Sequence, residues 1–167
     1  MSRAFNRAVV ARFEAGMTRL PQWRPAKPPK QHSWPGERAY RSDRSPVALW
    51  LSLVLSPKGY NEFTIECGWS RLSRYPELSC RPSIDVFSDA EVERHQEAFF
   101  RLPLVDAQRR EWWSIAGSDS LSLGGAARAC AVLSPQEADE LAEPLVSDAF
   151  ACIASAEPHF HVILQSA

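Results

Sequence analysis

Acidic residues crowd one stretch near the end of the chain. After Ser134 the sequence contains, in close succession, Glu137, Asp139, Glu140, Glu143 and Asp148. Paired carboxylates can serve as general acid and general base, but only where they line a cleft that separates their pKa values. On the helix predicted for this stretch they lie opposite an apolar stripe. Two interpretations follow: a solvated helix face, or a docking surface for a basic partner, since clustered like charge steers association.

Other residues of reactive type lack the spacing that their chemistry needs. His159 and His161 flank one residue and follow Cys152, but a metal site needs further ligands that nothing supplies at suitable spacing. The segment 118–125 offers serines and glycines without the strand-turn-helix pattern of a nucleophile. Gly124-Gly125 is not followed by the Lys and Ser or Thr of a phosphate-binding loop. We therefore predict no catalytic residue, no metal and no cofactor.

Two alternative functions stay open. One is a small enzyme whose residues are too dispersed to form a motif, with His159, His161 or Asp119 at a cleft. The other is a nucleic-acid binder with a basic arm over residues 19–44. Residues 1–44 contain ten Lys and Arg against three Asp and Glu, and the remainder contains nine against seventeen. Because no nucleic-acid-binding motif surrounds these cations, we do not expect nucleic acid to be the partner.

The predicted elements begin with an amphipathic helix over residues 3–20. Its apolar stripe consists of Phe5, Val9, Phe13, Met17 and Leu20. Pro21 ends it, and residues 21–46 form a long, proline-rich basic loop, with a short extended piece around Arg38–Asp43.

A β-hairpin is the clearest pattern in the chain. Val47–Leu55 is a continuous apolar run, typical of a strand that is covered on both faces. Residues 56–61 supply turn chemistry, and Glu62–Ser70 alternates apolar and polar residues as a returning strand. The hairpin predicts an antiparallel sheet.

The middle of the chain is harder to assign. We predict a short strand at Ile84–Phe87, then a helix over Ala90–Arg101, because Ser88 and Glu91 match a capping box. Val105–Ile115 is either a short helix or a strand around Trp112–Ile115. Residues 116–125 form a loop.

A second amphipathic helix follows Ser134. Ser134 is a good N-cap, Pro135 suits the first helical position, and Glu137 completes a capping box. Pro144 predicts a kink. The core-facing stripe consists of Ala138, Leu141, Ala142, Leu145, Ala149, Phe150 and Ile153. Residues 160–164 form a last short strand or a packed extension.

Together these elements predict one α+β domain over residues 1–167, with an antiparallel sheet built on the central hairpin and packed by N-terminal and C-terminal amphipathic helices. The scattered cysteines predict reduced thiols, mostly buried: Cys67, Cys80, Cys130 and Cys152. No apolar run approaches the roughly 20 residues of a membrane span, so we expect a cytoplasmic protein without membrane contact.

The hairpin also carries a resemblance. The order of elements resembles that of bacterial proteins grouped as domain of unknown function 4304: an N-terminal helix, a loop, the strand Val47–Leu53, a turn and the returning strand Glu62–Gly68. The resemblance covers residues 3–155 in outline, and the hairpin is its closest part. The chain departs from that pattern at Pro21, where such proteins have a Gly-aromatic turn into an early strand. The resemblance implies an α+β fold, no known enzyme activity and, by analogy with similar small bacterial proteins, a role as an immunity protein.

The sequence therefore predicts a non-enzymatic binding protein, most concretely an immunity protein that neutralises a cognate bacterial toxin by occluding its active site. The partner would have a basic active-site cleft, and the acidic helix face would fill it through complementary charge. The sequence leaves open whether four tryptophans belong to the core or to an interface: Trp23, Trp34, Trp112 and Trp113.

Overall fold

The chain folds as an α+β protein, with an antiparallel sheet and two long helices packed on it. The computed structural model describes residues 3–30, 36–44, 47–72, 74–76, 96–102, 112–117 and 123–165. Within them the order of elements is α1 (Arg3–Met17), β1 (Arg24–Ala26), β2 (Arg38–Arg44), β3 (Val47–Leu55), β4 (Glu62–Ser70), β5 (Glu97–Arg101), β6 (Trp113–Ser114), α2 (Leu123–Ala129) and α3 (Pro135–Gln165). This confirms the predicted fold class.

The sheet is built around the hairpin that the sequence predicts. Its strands lie in the order β1-β2-β3-β4-β5, every neighbouring pair is antiparallel, and β6 pairs with the start of β4. In the hairpin Leu51 lies opposite Cys67 and Leu55 opposite Phe63. Gly59 takes a φ of 74° in the turn, a left-handed conformation that glycine adopts without steric cost. The predicted bounds of both hairpin strands are confirmed.

The two helices bury the apolar side of the sheet. Every second residue of β3, from Val47 to Leu55, joins one core with the inward residues of β4 and with α1 and α3. From α1 this core takes Phe5, Val9, Phe13 and Met17, and from α3 it takes Ala138, Ala142, Val146, Ala149, Ile153 and Ala156. Leu141, which we predicted to be in this stripe, is exposed.

The opposite side of the sheet is buried as well, which explains why both faces of β3 are mostly apolar and all nine of its residues are buried. Trp50, Tyr75 and Phe99 form a second, smaller cluster there, and the Trp50 indole donates a hydrogen bond to the Arg74 carbonyl oxygen. Glu97 accepts two hydrogen bonds from the Arg74 guanidinium, which compensates the burial of this carboxylate. Burial raises the pKa of the Tyr75 hydroxyl.

The predicted helix over Ala90–Arg101 is wrong where the structure describes it. Glu97–Arg101 is strand β5, which pairs with β4 so that Phe99 lies opposite Gly68 and Arg101 opposite Glu66. Glu97–Arg101 has no clear alternation of polar and apolar residues, and its strand is determined by long-range pairing with β4. Residues 77–95, which include Ser88, Glu91 and the strand predicted at Ile84–Phe87, lie outside the described residues.

The structure corrects two predicted loops and decides between the two options for one further segment. The proline-rich segment 21–46 is not a loop throughout, because it contains β1 and β2, and β2 replaces the short extended piece expected there. Of the two options for Val105–Ile115, the described part is the strand β6. The predicted loop over residues 116–125 ends early, because α2 begins at Leu123.

The C-terminal helix is longer than predicted. It starts at Pro135 as expected, continues past Pro144 and ends at Gln165, so the segment 160–164 belongs to the helix and not to a strand. Across the described part of the chain, no helix combines the length and apolar character needed to cross a bilayer. Cys67, Cys130 and Cys152 form no disulfide bond, but only Cys67 of these three described cysteines is buried; Cys130 is exposed and Cys152 half-buried, so the prediction of mostly buried thiols is wrong for them. Cys80 lies outside the described residues.

Candidate functional site

A groove of about 550 Å³ runs along the seam between α1 and α3 and reaches down to the sheet. We call it the α1–α3 groove. Its walls are formed by α1 and by α3, and its floor by the turn after α1 and by strands β2 and β3; the lining residues are Arg12, Ala15, Gly16, Arg19, Leu20, Gln22, Trp23, Ser42, Leu49, Glu143, Val146, Ser147, Phe150, Ile153, Ala154 and Glu157. This volume lies in the range of pockets that hold ligands in proteins.

Gly16 of α1 makes room for Phe150 of α3. A Cβ atom at this position would lie 2.2 Å from the tip of the Phe150 ring, closer than two carbon atoms can approach. Phe150 in turn stacks on Phe13, with ring centroids 5.3 Å apart. Gly16 therefore lets an aromatic ring of α3 lie directly against the backbone of α1.

The floor of the groove is apolar with one hydroxyl group. Trp23 folds beneath α1 because its backbone N–H donates to the carbonyl oxygen of Leu20, and its side chain joins the main core. Leu49 comes from β3, and Ser42, which lies opposite it on β2, places its side chain on the same side of the sheet. Trp23 is thus a core residue that also faces the groove.

Charged residues frame the groove on both walls. Arg12 of α1 donates two hydrogen bonds to Asp139, Nε to Oδ1 at 2.8 Å and Nη2 to Oδ2 at 2.7 Å, and also pairs with Glu143 at 3.3 Å. The hydrogen bond from Arg12 holds the pKa of Asp139 below its ordinary value, and the same bond raises the pKa of Arg12. Further along the groove, Arg19 stands on the α1 wall and Glu157 on the α3 wall.

The five predicted acidic residues do not form one face. Successive residues turn by about 100° around a helix, so Asp139 and Glu143 lie toward one edge of α3, Glu137 and Asp148 toward the other, and Glu140 between them. The edge with Asp139 and Glu143 meets Arg12, and the other edge meets β6. Much of the predicted docking surface therefore also holds α3 in place.

Glu137 has a structural role at the start of α3. Its carboxylate accepts a hydrogen bond from the Ser134 N–H at 2.8 Å, and its own N–H donates to the Ser134 hydroxyl at 3.3 Å, which confirms the predicted capping box. The bond from Ser134 lowers the pKa of Glu137. Glu140 points away from both edges and accepts a hydrogen bond from the Gln136 side chain at 2.9 Å.

Asp148 connects α3 to the sheet. It accepts a hydrogen bond from the indole nitrogen of Trp113 at 2.8 Å. Trp113 is buried and stacks on Phe63 with ring centroids 5.5 Å apart, so it belongs to the core. Trp112 is half-buried, with the Arg101 guanidinium 5.2 Å from its ring centroid. Trp34 lies outside the described residues.

The residues predicted for an enzyme or a metal site lie either at the end of α3 or outside the described residues. His159 and His161 lie on the last turns of α3 and not on a strand. Asp119 and Ser118 lie outside the described residues. Where the chain is described, no three His, Cys, Asp or Glu side chains come together as a possible metal site.

Sequence reasoning singled out Trp23 but missed the other residues that shape the groove: Gly16, Arg19, Ser42 and Phe150. A glycine in the middle of an amphipathic helix is a signal that could have found part of it, because glycine destabilises a helix unless close packing requires it. Comparison with known proteins assigns no function, since no family model, no curated protein and no solved structure matches the chain.

Proposed function

We propose that the chain is a non-enzymatic binding protein, and specifically an immunity protein that neutralises a cognate bacterial toxin in the cytoplasm. It acts by occlusion: its α1–α3 side covers a basic active-site cleft of the toxin and keeps the substrate out. No chemistry is required of the chain, because a tight complex that fills the cleft is sufficient to block it.

One observation carries this proposal: acidic side chains stand beside an open apolar groove on a single side of the molecule. Asp139, Glu140 and Glu143 lie on the exposed surface of α3, and the α1–α3 groove runs next to them. Protein interfaces have this arrangement, with a desolvated apolar centre and a polar rim that supplies charge complementarity. A partner with a cationic cleft and an apolar projection would match both parts.

Some of the acidic residues also stabilise the fold, so substituting them does not test surface charge alone. Asp139 and Glu143 hold Arg12, and Glu137 caps α3, so that changing any of them alters the fold as well as the surface charge. Glu140 is exposed, and its contact in the described structure is a hydrogen bond from Gln136 on the same helix. Charge reversal at Glu140 is therefore the clean test of electrostatic docking.

The experiment is co-expression of the chain with the product of the neighbouring gene. Growth rescue and co-elution of a stable complex on a sizing column are the expected results. Glu140→Lys should slow association and make it less sensitive to salt, because it removes a negative charge from the docking side and adds a positive one. Gln136→Ala is the matched control, since it removes the same hydrogen bond and leaves the charge unchanged.

Absence of both rescue and complex would overturn the immunity proposal. Rescue without any stable complex would also contradict occlusion and favour the enzyme alternative, in which the chain removes or modifies a product of the toxin. If Glu140→Lys and Gln136→Ala affect association equally, the acidic side of α3 is not the electrostatic contact.

A further inference from the structure

The α1–α3 groove is open because its outward walls are made of small residues. Ala15 on α1, and Ser147 and Ala154 on α3, leave the seam uncovered on either side of the Phe150–Gly16 contact, where larger side chains would close it. Ala15, Ser147 and Ala154 are exposed, whereas the floor beneath them is apolar. A chain segment laid along the seam could therefore place its side chains against the core without any rearrangement of the helices.

The floor contains a polar group that is suited to a ligand. Ser42 is 2 % exposed and faces the groove from β2. None of the hydrogen bonds among the described residues uses its hydroxyl group. A hydroxyl group in an otherwise apolar floor can donate a hydrogen bond to a polar group of a bound segment or accept one from it.

The charges of the rim indicate what kind of segment fits. The side chains of Asp139 and Glu143 are 55 % and 66 % exposed, whereas that of Arg12, which they hold, is 29 % exposed. The bridge therefore presents its carboxylates more than its guanidinium to a docking partner. Glu140 is exposed on the outer surface of α3 between its two edges, and Glu157 adds a carboxylate at the far end of the groove, on the wall opposite Arg19.

From this geometry we infer that the α1–α3 groove binds a segment of the partner protein that carries apolar side chains flanked by Lys or Arg. The apolar side chains lie between the helices, and the cations face the carboxylates along α3. The inference rests on the proposed function and adds the site and the chemistry of the bound segment. Few carboxylates line the groove, but tight binding does not require many charges. Desolvated apolar side chains contribute most of the binding energy in protein interfaces.

The test fills the groove and measures binding to the neighbouring gene product by calorimetry. Ala154→Trp places a large ring over the seam, and Ala151→Trp, on an exposed position of the same helix outside the groove, is the matched control. We expect Ala154→Trp to raise the dissociation constant by about tenfold or more, as for loss of a central anchor, and Ala151→Trp to leave it unchanged. Ala15→Phe and its exposed control Ala11→Phe repeat the test from α1, and thermal unfolding verifies that each variant is folded.

The outcomes separate the two proposals. If the wild-type chain binds and both groove-filling variants bind equally well, the groove inference is overturned while the proposed function stands. Equal weakening by Ala154→Trp and Ala151→Trp would overturn it too, because the effect would not be specific to the groove. If the wild-type chain forms no complex, the proposed function fails and this inference fails with it.

Discussion

Arg12 and Asp139 are 127 positions apart in sequence, yet they form a two-point ion pair that joins the middle of α1 to the first turns of α3. Both nitrogen-to-oxygen distances are below 3 Å, and Glu143 adds a third contact to the same guanidinium. Such forked pairing of a guanidinium with a carboxylate fixes direction as well as distance. It links α3 to α1 beside the α1–α3 groove, where Arg12 and Glu143 both line its walls.

Replacing Asp139 with Asn should lower the melting temperature at neutral pH by a small amount, since the pair is exposed. The carboxyl has a lower pKa in the folded chain than in the unfolded one. Its contribution is therefore present above the unfolded pKa and is lost as the pH falls through the folded pKa. The difference between wild type and variant should shrink in acid, which thermal unfolding across pH can measure. A difference that persists unchanged in strong acid would contradict this role of the ion pair.

Substitution of Gly16 by Ala should destabilise the chain by about 1–3 kcal/mol, because the new methyl group collides with Phe150 and overpacks the seam. Alanine alone would favour the helix by about 1 kcal/mol. In a Phe150→Ala background the collision disappears, so the same substitution should become stabilising there. Urea unfolding of the four proteins of this double-mutant cycle gives both values. A Gly16→Ala change with the same sign in both backgrounds would disprove the close contact.

Asn61 joins three segments at the end of the sheet. Its backbone N–H donates to the Ala129 carbonyl oxygen, its carbonyl accepts from the Ile115 N–H, and its side-chain amide donates to the Ala131 carbonyl oxygen at 2.9 Å. Because Asn61 is fully buried, Asn61→Ala should cost about 1–3 kcal/mol of unfolding free energy. Asn61→Asp, which presents an acceptor to that carbonyl oxygen, should be less stable at neutral than at acid pH. Urea midpoints at both pH values test this, and two variants as stable as wild type would rule it out.

The capping box of α3 predicts a further effect. Ser134→Ala removes the hydroxyl that accepts from the Glu137 N–H and should destabilise the chain by about 1 kcal/mol. Ser134→Asn retains an N-capping side chain and should restore most of that loss, which makes it the matched control. Chemical unfolding followed by circular dichroism measures both. Equal stability of the Ala and Asn variants would show that the cap contributes nothing.

Local patterns predicted the hairpin and the start of α3, because each is determined by residues close in sequence. The apolar run of β3 and the alternation of β4 are strand signals in themselves, and Ser134 with Glu137 forms a cap without help from elsewhere. The short edge strand β1 was missed because Pro25 lies within it. Proline is compatible with an edge strand, where its missing N–H breaks no central hydrogen bond.

The site could be predicted only in part. The carboxylates of α3 were apparent as a cluster, but their separate tasks depend on partners far away in sequence, such as Arg12 and Trp113. The groove depends on how α1 and α3 lie over the sheet, and no local pattern encodes that. Strand β5 shows the same limit, because its pairing with β4 joins segments about 30 positions apart and no local pattern in Glu97–Arg101 predicts it.

Hydrogen exchange of the complex with the neighbouring gene product tests the central claim most directly. If the α1–α3 side is the docking surface, slowed exchange should concentrate at residues 12–19 of α1 and 139–157 of α3. The turn of the hairpin at residues 56–61 and strand β1 should exchange as in the free chain. Protection confined to those other regions, or the absence of any complex, would contradict the account.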